Sequence, residues 1–287
     1  MTTPLGSIIT AIITPFDKSG DVDEEGFVAL LHHLAANGSD GFVVCGTTGE
    51  AATLSTEEHL GLIELAVRER PDGTSIIAGA GSNDTRHAVQ MTAAATELGV
   101  DALLSVTPYY NRPNRRGIVA HYGEVARATD KPIILYNIPS RTGTNLANEF
   151  LAELAQIDGV EYLKQANPED VAQVDGLGLY AGNDDMLREV LDLGGLGGIL
   201  VASHVVGPQM REMVEHPESR ERIDAELADV YAALGVTTNP IPVKAALDLL
   251  GLPSGMLRLP LVEADDKELA VVAEALRKLG LIAGEQS

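Results

Sequence analysis

The 287-residue chain has a single cysteine, Cys45, so it forms no internal disulfide and suits a reducing compartment; a cytoplasmic location is expected. It is also short of positive charge. Lys and Arg number 20 against 42 Asp and Glu, a formal net charge of −22. Such a surface repels nucleic acid and anionic membranes, and neither is expected as a partner. An anionic substrate would need its own local cations within that field. No apolar run reaches the length of a membrane span. The first residues, MTTPLGSIIT, lack the basic stretch and long apolar core of a secretion signal, so none is expected.

Further absences narrow the chemistry. The histidines, at 32, 33, 59, 87, 121, 204 and 216, fall into no HExxH or related ligand spacing, so no metal is expected. There is no GxSxG turn and no Walker A sequence. GAGSND (79–84) follows an apolar run but lacks the third glycine of a dinucleotide fingerprint, and no cofactor is expected. Cys45 has no basic neighbour to lower its thiol pKa and reads as core.

Hydrophobic residues make up 45% of the chain, enough for a sizeable core. Short apolar runs recur at 7–14, 41–45, 75–80, 101–106, 132–137, 160–164, 178–182 and 197–202. Most are β-branched and nearly continuous, as in strands buried on both faces of a parallel sheet. Helix-length segments separate them. One begins at Ser55 or Thr56, carries Glu57 and Glu58 in its first turn and ends in Arg68 and Arg70, the polarity a helix dipole favours. Alternation carried through eight strands predicts a (β/α)8 TIM barrel over residues 1–217. A doubly wound open sheet is the competing arrangement. Residues 218–287 read as helices only, at 218–234, 241–250 and 265–279, a C-terminal helical appendage.

A TIM barrel presents its chemistry at the C-terminal ends of its strands. Those ends are CGTTGE (45–50), TPYYNRP (107–113), YNIPSRTG (136–143) and Lys164. A strand-end lysine can simply reach water along a packed stem. Among apolar barrel walls it instead loses solvation of its charged form, and its free amine becomes a nucleophile able to form a Schiff base with a ketone. The imine is an electron sink, from which an enamine can attack an aldehyde. Such chemistry needs a proton relay, for which Tyr136 and Tyr110, bridged by the Thr47 hydroxyl, are candidates; each tyrosine could equally be a packed ring with a satisfied hydroxyl. The GTTG segment is either a plain turn or a cradle for a carboxylate. Arg141, between small residues, can clamp a carboxylate bidentately or lie in a solvated loop.

CGTTGE, TPYYNRP, YNIPSRTG and the strand-end lysine, in this order, resemble the dihydrodipicolinate synthase family, and the resemblance extends to NPIPVKAAL (239–247). It implies a lyase of the class I aldolase type that joins pyruvate to aspartate semialdehyde on the way to diaminopimelate and lysine. It assigns the Schiff base to Lys164 and the relay to Tyr136, Thr47 and Tyr110, with Tyr110 donated by a neighbouring subunit of a homo-oligomer, a dimer or tetramer. It assigns the pyruvate carboxylate to Thr48, the acceptor carboxylate to Arg141, and backbone lining of the pyruvate pocket to Gly182 and Leu200. Related pyruvate-dependent aldolases act on N-acetylneuraminate or sugar-derived 2-keto-3-deoxy acids, and Arg141 argues for the synthase branch. A non-catalytic keto-acid-binding protein would not need the relay. The chain departs from many synthases at Gln165, Ala166 and Asn167, after the lysine, which bears on acceptor preference. It also carries His87 where lysine-inhibited relatives have a glutamate and Thr56 where they have a second histidine beside His59, with Asn83 kept; weak or absent lysine feedback is expected.

Overall fold

The computed structural model describes residues 4–283. The outermost residues of the two expected regions, 1–3 and 284–287, lie outside this range. Eight parallel strands close into one barrel: β1 (Ile8–Ala11), β2 (Gly41–Val44), β3 (Ser75–Gly79), β4 (Ala102–Val106), β5 (Ile133–Asn137), β6 (Val160–Gln165), β7 (Gly178–Ala181) and β8 (Gly197–Leu200). β8 pairs with β1 through Ile9 and Ile199, so there is no sheet edge. The near-continuous apolar runs follow from this closure. Alternate residues face a small inner core that includes Ile9, Val43, Ile77, Ile134 and Ile199. Their neighbours, among them Ile8, Phe42, Ile76, Leu163 and Leu200, pack outward against the helices.

The surrounding helices are α1 (Glu24–Ala36), α2 (Thr56–Arg68), α3 (Thr85–Glu97), α4 (Arg115–Ala126), the short α5 (Pro139–Thr142), α6 (Asn148–Leu154), α7 (Leu187–Asp192) and α8 (Ser203–Glu215). α2 starts with a full capping box: the Glu58 amide donates to Ser55 Oγ and the Ser55 amide to Glu58 Oε2. The alternation fails at one place. After β6 the chain makes only a short 3-10 turn, Pro168–Asp170, before β7. Asp170 Oδ2 accepts from the side-chain amides of both Asn145 and Asn167, which holds this stretch as a polar loop.

Three helices follow the barrel: α9 (Arg220–Leu234), α10 (Ile241–Leu249) and α11 (Asp266–Lys278). α9 begins close to the expected border at 218. Its Ile223, Leu227 and Val230 are buried in the same outer core as the barrel helices. The segment between α9 and α10 runs over the C-terminal mouth of the barrel, where Asn239 donates to the Thr48 hydroxyl.

Candidate active site

Lys164 and Tyr136 are register partners on the neighbouring strands β6 and β5. Both are buried, and the Lys164 amine lies 4.3 Å from the centre of the Tyr136 ring. The snorkelling alternative for Lys164 is thereby removed, since its amine ends inside the barrel. Burial pulls its pKa down to about 7; the Asp184 carboxylate pushes it back up, and the Arg141 guanidinium lowers it further. A large fraction of the amine is therefore unprotonated near neutral pH. Burial likewise lifts the Tyr136 phenol to about 12, with the Arg141 charge and a hydrogen bond with Thr47 working against the rise. Thr47 and Tyr136 line the same cavity walls in a single chain.

Thr47 and Thr48 sit in a tight turn after β2. The Glu50 amide donates to Thr47 O and the Ala51 amide to Gly46 O. Cys45 and Glu50 hold left-handed backbone at φ 56° and 53°, a conformation side-chain-bearing residues rarely adopt. Chain crowding contributes: a Cβ on Gly79 would stand 2.2 Å from Cys45 O. Thr48 Oγ1 accepts from Asn239 Nδ2 at 3.0 Å, so its own proton remains available to an incoming carboxylate. Arg141 closes α5, and its Nη2 donates to Asn239 O at 3.4 Å. One residue of the appendage therefore touches both groups expected to hold carboxylates.

A cavity of about 540 Å³ joins these groups; Thr47, Thr48, Tyr136, Arg141, Lys164 and Gly182 all line it. At Gly182 the backbone comes so near β6 that a Cβ would meet Gln165 O at 2.7 Å, and the Gly182 amide donates to that same oxygen. Leu200 is not brought to this cavity. Its side chain packs in the outer core, Ile199 takes the inward position of β8, and Val201 is the residue of that strand end on the cavity wall. Strand parity turns the Leu200 side chain outward, since adjacent side chains face opposite sides.

Asp184, which motif reading did not single out, lines the same cavity. Its Oδ1 accepts the amides of Val201 and Ala202, each at 2.9 Å, tying the end of β7 to the end of β8. Burial raises its pKa to about 6, against the pull of those two amides and of Lys164. The only signal in the sequence was an acidic pair directly after an apolar run, at 184–185. Asn239 was missed as well, although it lies in a quoted segment.

Tyr110 is not brought to the site of its own chain. It is 90% exposed, has φ 72°, and lines neither of the two described cavities. Its neighbour Tyr109 lines a second cavity of about 460 Å³, which shares Thr47, Tyr136 and Arg141 with the first. His59 and His87 also face this second cavity.

The chain is 42% identical to the 4-hydroxy-tetrahydrodipicolinate synthase of Synechococcus elongatus, over 97% of each chain. A crystal structure of the Cyanidioschyzon merolae enzyme with lysine bound has a TM-score of 0.93 at 41% identity, covering 97% of this chain and 99% of that one. A structure of a monomeric dihydrodipicolinate synthase variant has a TM-score of 0.91 at 36% identity, covering 96% and 97%. The family model of the Dihydrodipicolinate synthetase family matches residues 4–279, from the strand that closes the barrel to the last helix that packs on it, and the chain belongs to that family.

Proposed function

We propose that this chain acts as a 4-hydroxy-tetrahydrodipicolinate synthase, condensing pyruvate with L-aspartate-4-semialdehyde. The observation that carries the reading is the buried Lys164 amine packed on Tyr136, in one cavity with Thr47, Thr48 and Arg141. The unprotonated amine adds to the pyruvate ketone, and loss of water leaves an imine. Tyr136, with Thr47 on the same cavity wall, supplies and removes the protons of that step. Loss of a methyl proton from the protonated imine then gives the enamine, whose carbon attacks the aldehyde. The acceptor's amine displaces Lys164 from the imine that results, which closes the ring and frees the lysine. The Thr48 hydroxyl holds the pyruvate carboxylate and Arg141 the acceptor's.

The test is to mix purified protein with pyruvate and a panel of aldehydes, and to identify products by mass. The expected product is that of aspartate semialdehyde. Condensation only with sugar-derived aldehydes would move the chain to the aldolase branch, and binding of pyruvate without turnover would make it a keto-acid-binding protein. Among the described residues no helix is long and apolar enough to cross a membrane. We place the enzyme in the cytoplasm, as a homo-oligomer.

Arg141→Ala removes a charge-assisted contact worth about 1.5–3 kcal/mol. The Michaelis constant for aspartate semialdehyde should rise roughly ten- to hundredfold, with that for pyruvate changed far less. Equal effects on both substrates would contradict an acceptor role.

Lysine should inhibit poorly. The second cavity presents His59 and His87, and an imidazole offers an ammonium no opposite charge. An activity assay at rising lysine checks this. Half-inhibition below about 1 mM, or roughly 4 kcal/mol of binding, would mean that other residues hold the effector.

A further inference from the structure

The catalytic turn is gripped from behind by the C-terminal appendage, through an ion pair the proposed chemistry does not use. Glu50 ends the turn that carries Thr47 and Thr48. Its side chain is 0% exposed, that of Lys244 on α10 is 3% exposed, and the two meet at 2.6 Å. The Lys244 ammonium also donates to Met256 O at 2.7 Å and lies over the Phe16 ring. The second carboxylate oxygen of Glu50 accepts the Arg258 amide at 3.1 Å. Every strong contact of the Glu50 carboxylate therefore comes from residues far along the chain, beyond the barrel.

A buried ion pair is weak evidence of stability, because two apolar side chains of similar size hold a fold as well or better. It does impose geometry. Glu50 sits in the left-handed region, at φ 53°, and its amide donates to Thr47 O. A carboxylate held by the ammonium charge at one oxygen and by the Arg258 amide at the other restricts the rotation of that residue, and the Glu50 amide passes the constraint to Thr47. The next group outward is Tyr136, which lines the same cavities as Thr47. Asn239, five residues before Lys244, holds the hydroxyl of Thr48. One stretch of the appendage thus reaches the turn from two sides.

We infer that Glu50 and Lys244 are positioning residues: their buried pair sets the turn so that the Thr47 hydroxyl meets Tyr136. This rests on the proposed function, because it gives the relay a reason for its alignment. The pair touches no substrate, so its loss should still let the imine accumulate at saturating pyruvate while slowing the proton transfers that form and consume it.

The experiment compares the parent with Glu50→Gln, Lys244→Met and the doubly apolar Glu50→Leu/Lys244→Met, which leaves no unpaired buried charge. Competent sites are counted by borohydride trapping at saturating pyruvate, with the adduct located by mass, and turnover is expressed per trapped site. All three variants should trap pyruvate on Lys164 yet turn over at least tenfold more slowly per site. Adding Thr47→Ala to Glu50→Gln should then cost little beyond Thr47→Ala alone, since contacts in series are not additive. Parental turnover per trapped site in the variants would overturn the inference. So would losses that multiply with Thr47→Ala. Failure of all three variants to trap pyruvate would also overturn it, by making the pair a requirement for folding. Failure of the parent itself to form the Lys164 adduct would strike at the proposed function instead.

Discussion

Lys164→Ala should take up no pyruvyl group on borohydride reduction and lose turnover by on the order of 10⁴-fold or more, the scale on which enzymes suffer when a covalent nucleophile is removed. The residue is buried, and its amine ends against the Tyr136 ring at the closed end of the cavity. Mass analysis of the trapped parent should place the adduct on this lysine. An adduct elsewhere, or one that persists in the variant, would falsify the assignment. A pH dependence comes with it. With the Lys164 pKa lowered to about 7, kcat/KM should fall about tenfold per unit as pH drops below that value, because the ammonium form cannot attack a ketone. Asp184 holds this pKa up, so Asp184→Asn should carry the acid limb to lower pH, while Asn keeps an oxygen for the Val201 and Ala202 amides. A limb that stays in place or moves upward would remove Asp184 from the electrostatics of the amine.

Tyr110→Phe should lower turnover about 10²- to 10⁴-fold, the range of a general acid–base group, although the tyrosine lies outside its own chain's cavity. Its ring is 90% exposed and its backbone left-handed at φ 72°. Residues held in rarely populated backbone conformations cluster at functional sites. A second copy of the chain, with the Thr47 and Tyr136 wall open through the second cavity, is the partner proposed. Chains bearing Lys164→Ala and chains bearing Tyr110→Phe, refolded together, should regain activity. In random dimers about a quarter of all sites would have every group intact. Mixed oligomers that form and remain inactive would show that each site is built from one chain. A single chain supplies Lys164, Tyr136 and Thr47 to the cavity whatever the answer.

The sequence by itself determined eight parallel strands alternating with helices, because a strand covered on both faces must be a near-continuous apolar run; the pairing of β8 with β1 decided for the barrel over the open sheet. The sequence pointed to Lys164, Tyr136, Thr47 and Arg141 as strand-end residues, which in this fold converge at one mouth, and the family resemblance added Thr48 and Gly182; all six line one cavity. Tertiary structure decided what depends on parity and on distant pairing. The inward position on β8 belongs to Ile199 rather than Leu200, a difference of one residue that a uniformly apolar strand cannot reveal. The stretch after β6 is a polar loop, since its amides find Asp170 and Asn145. Asp184 reaches Val201, Asn239 reaches Thr48, and Lys244 reaches Glu50 across 17, 191 and 194 positions of chain. Such contacts leave no periodic trace, because a buried carboxylate or amide is chosen by the atoms that surround it after folding, and those atoms are not its neighbours in sequence.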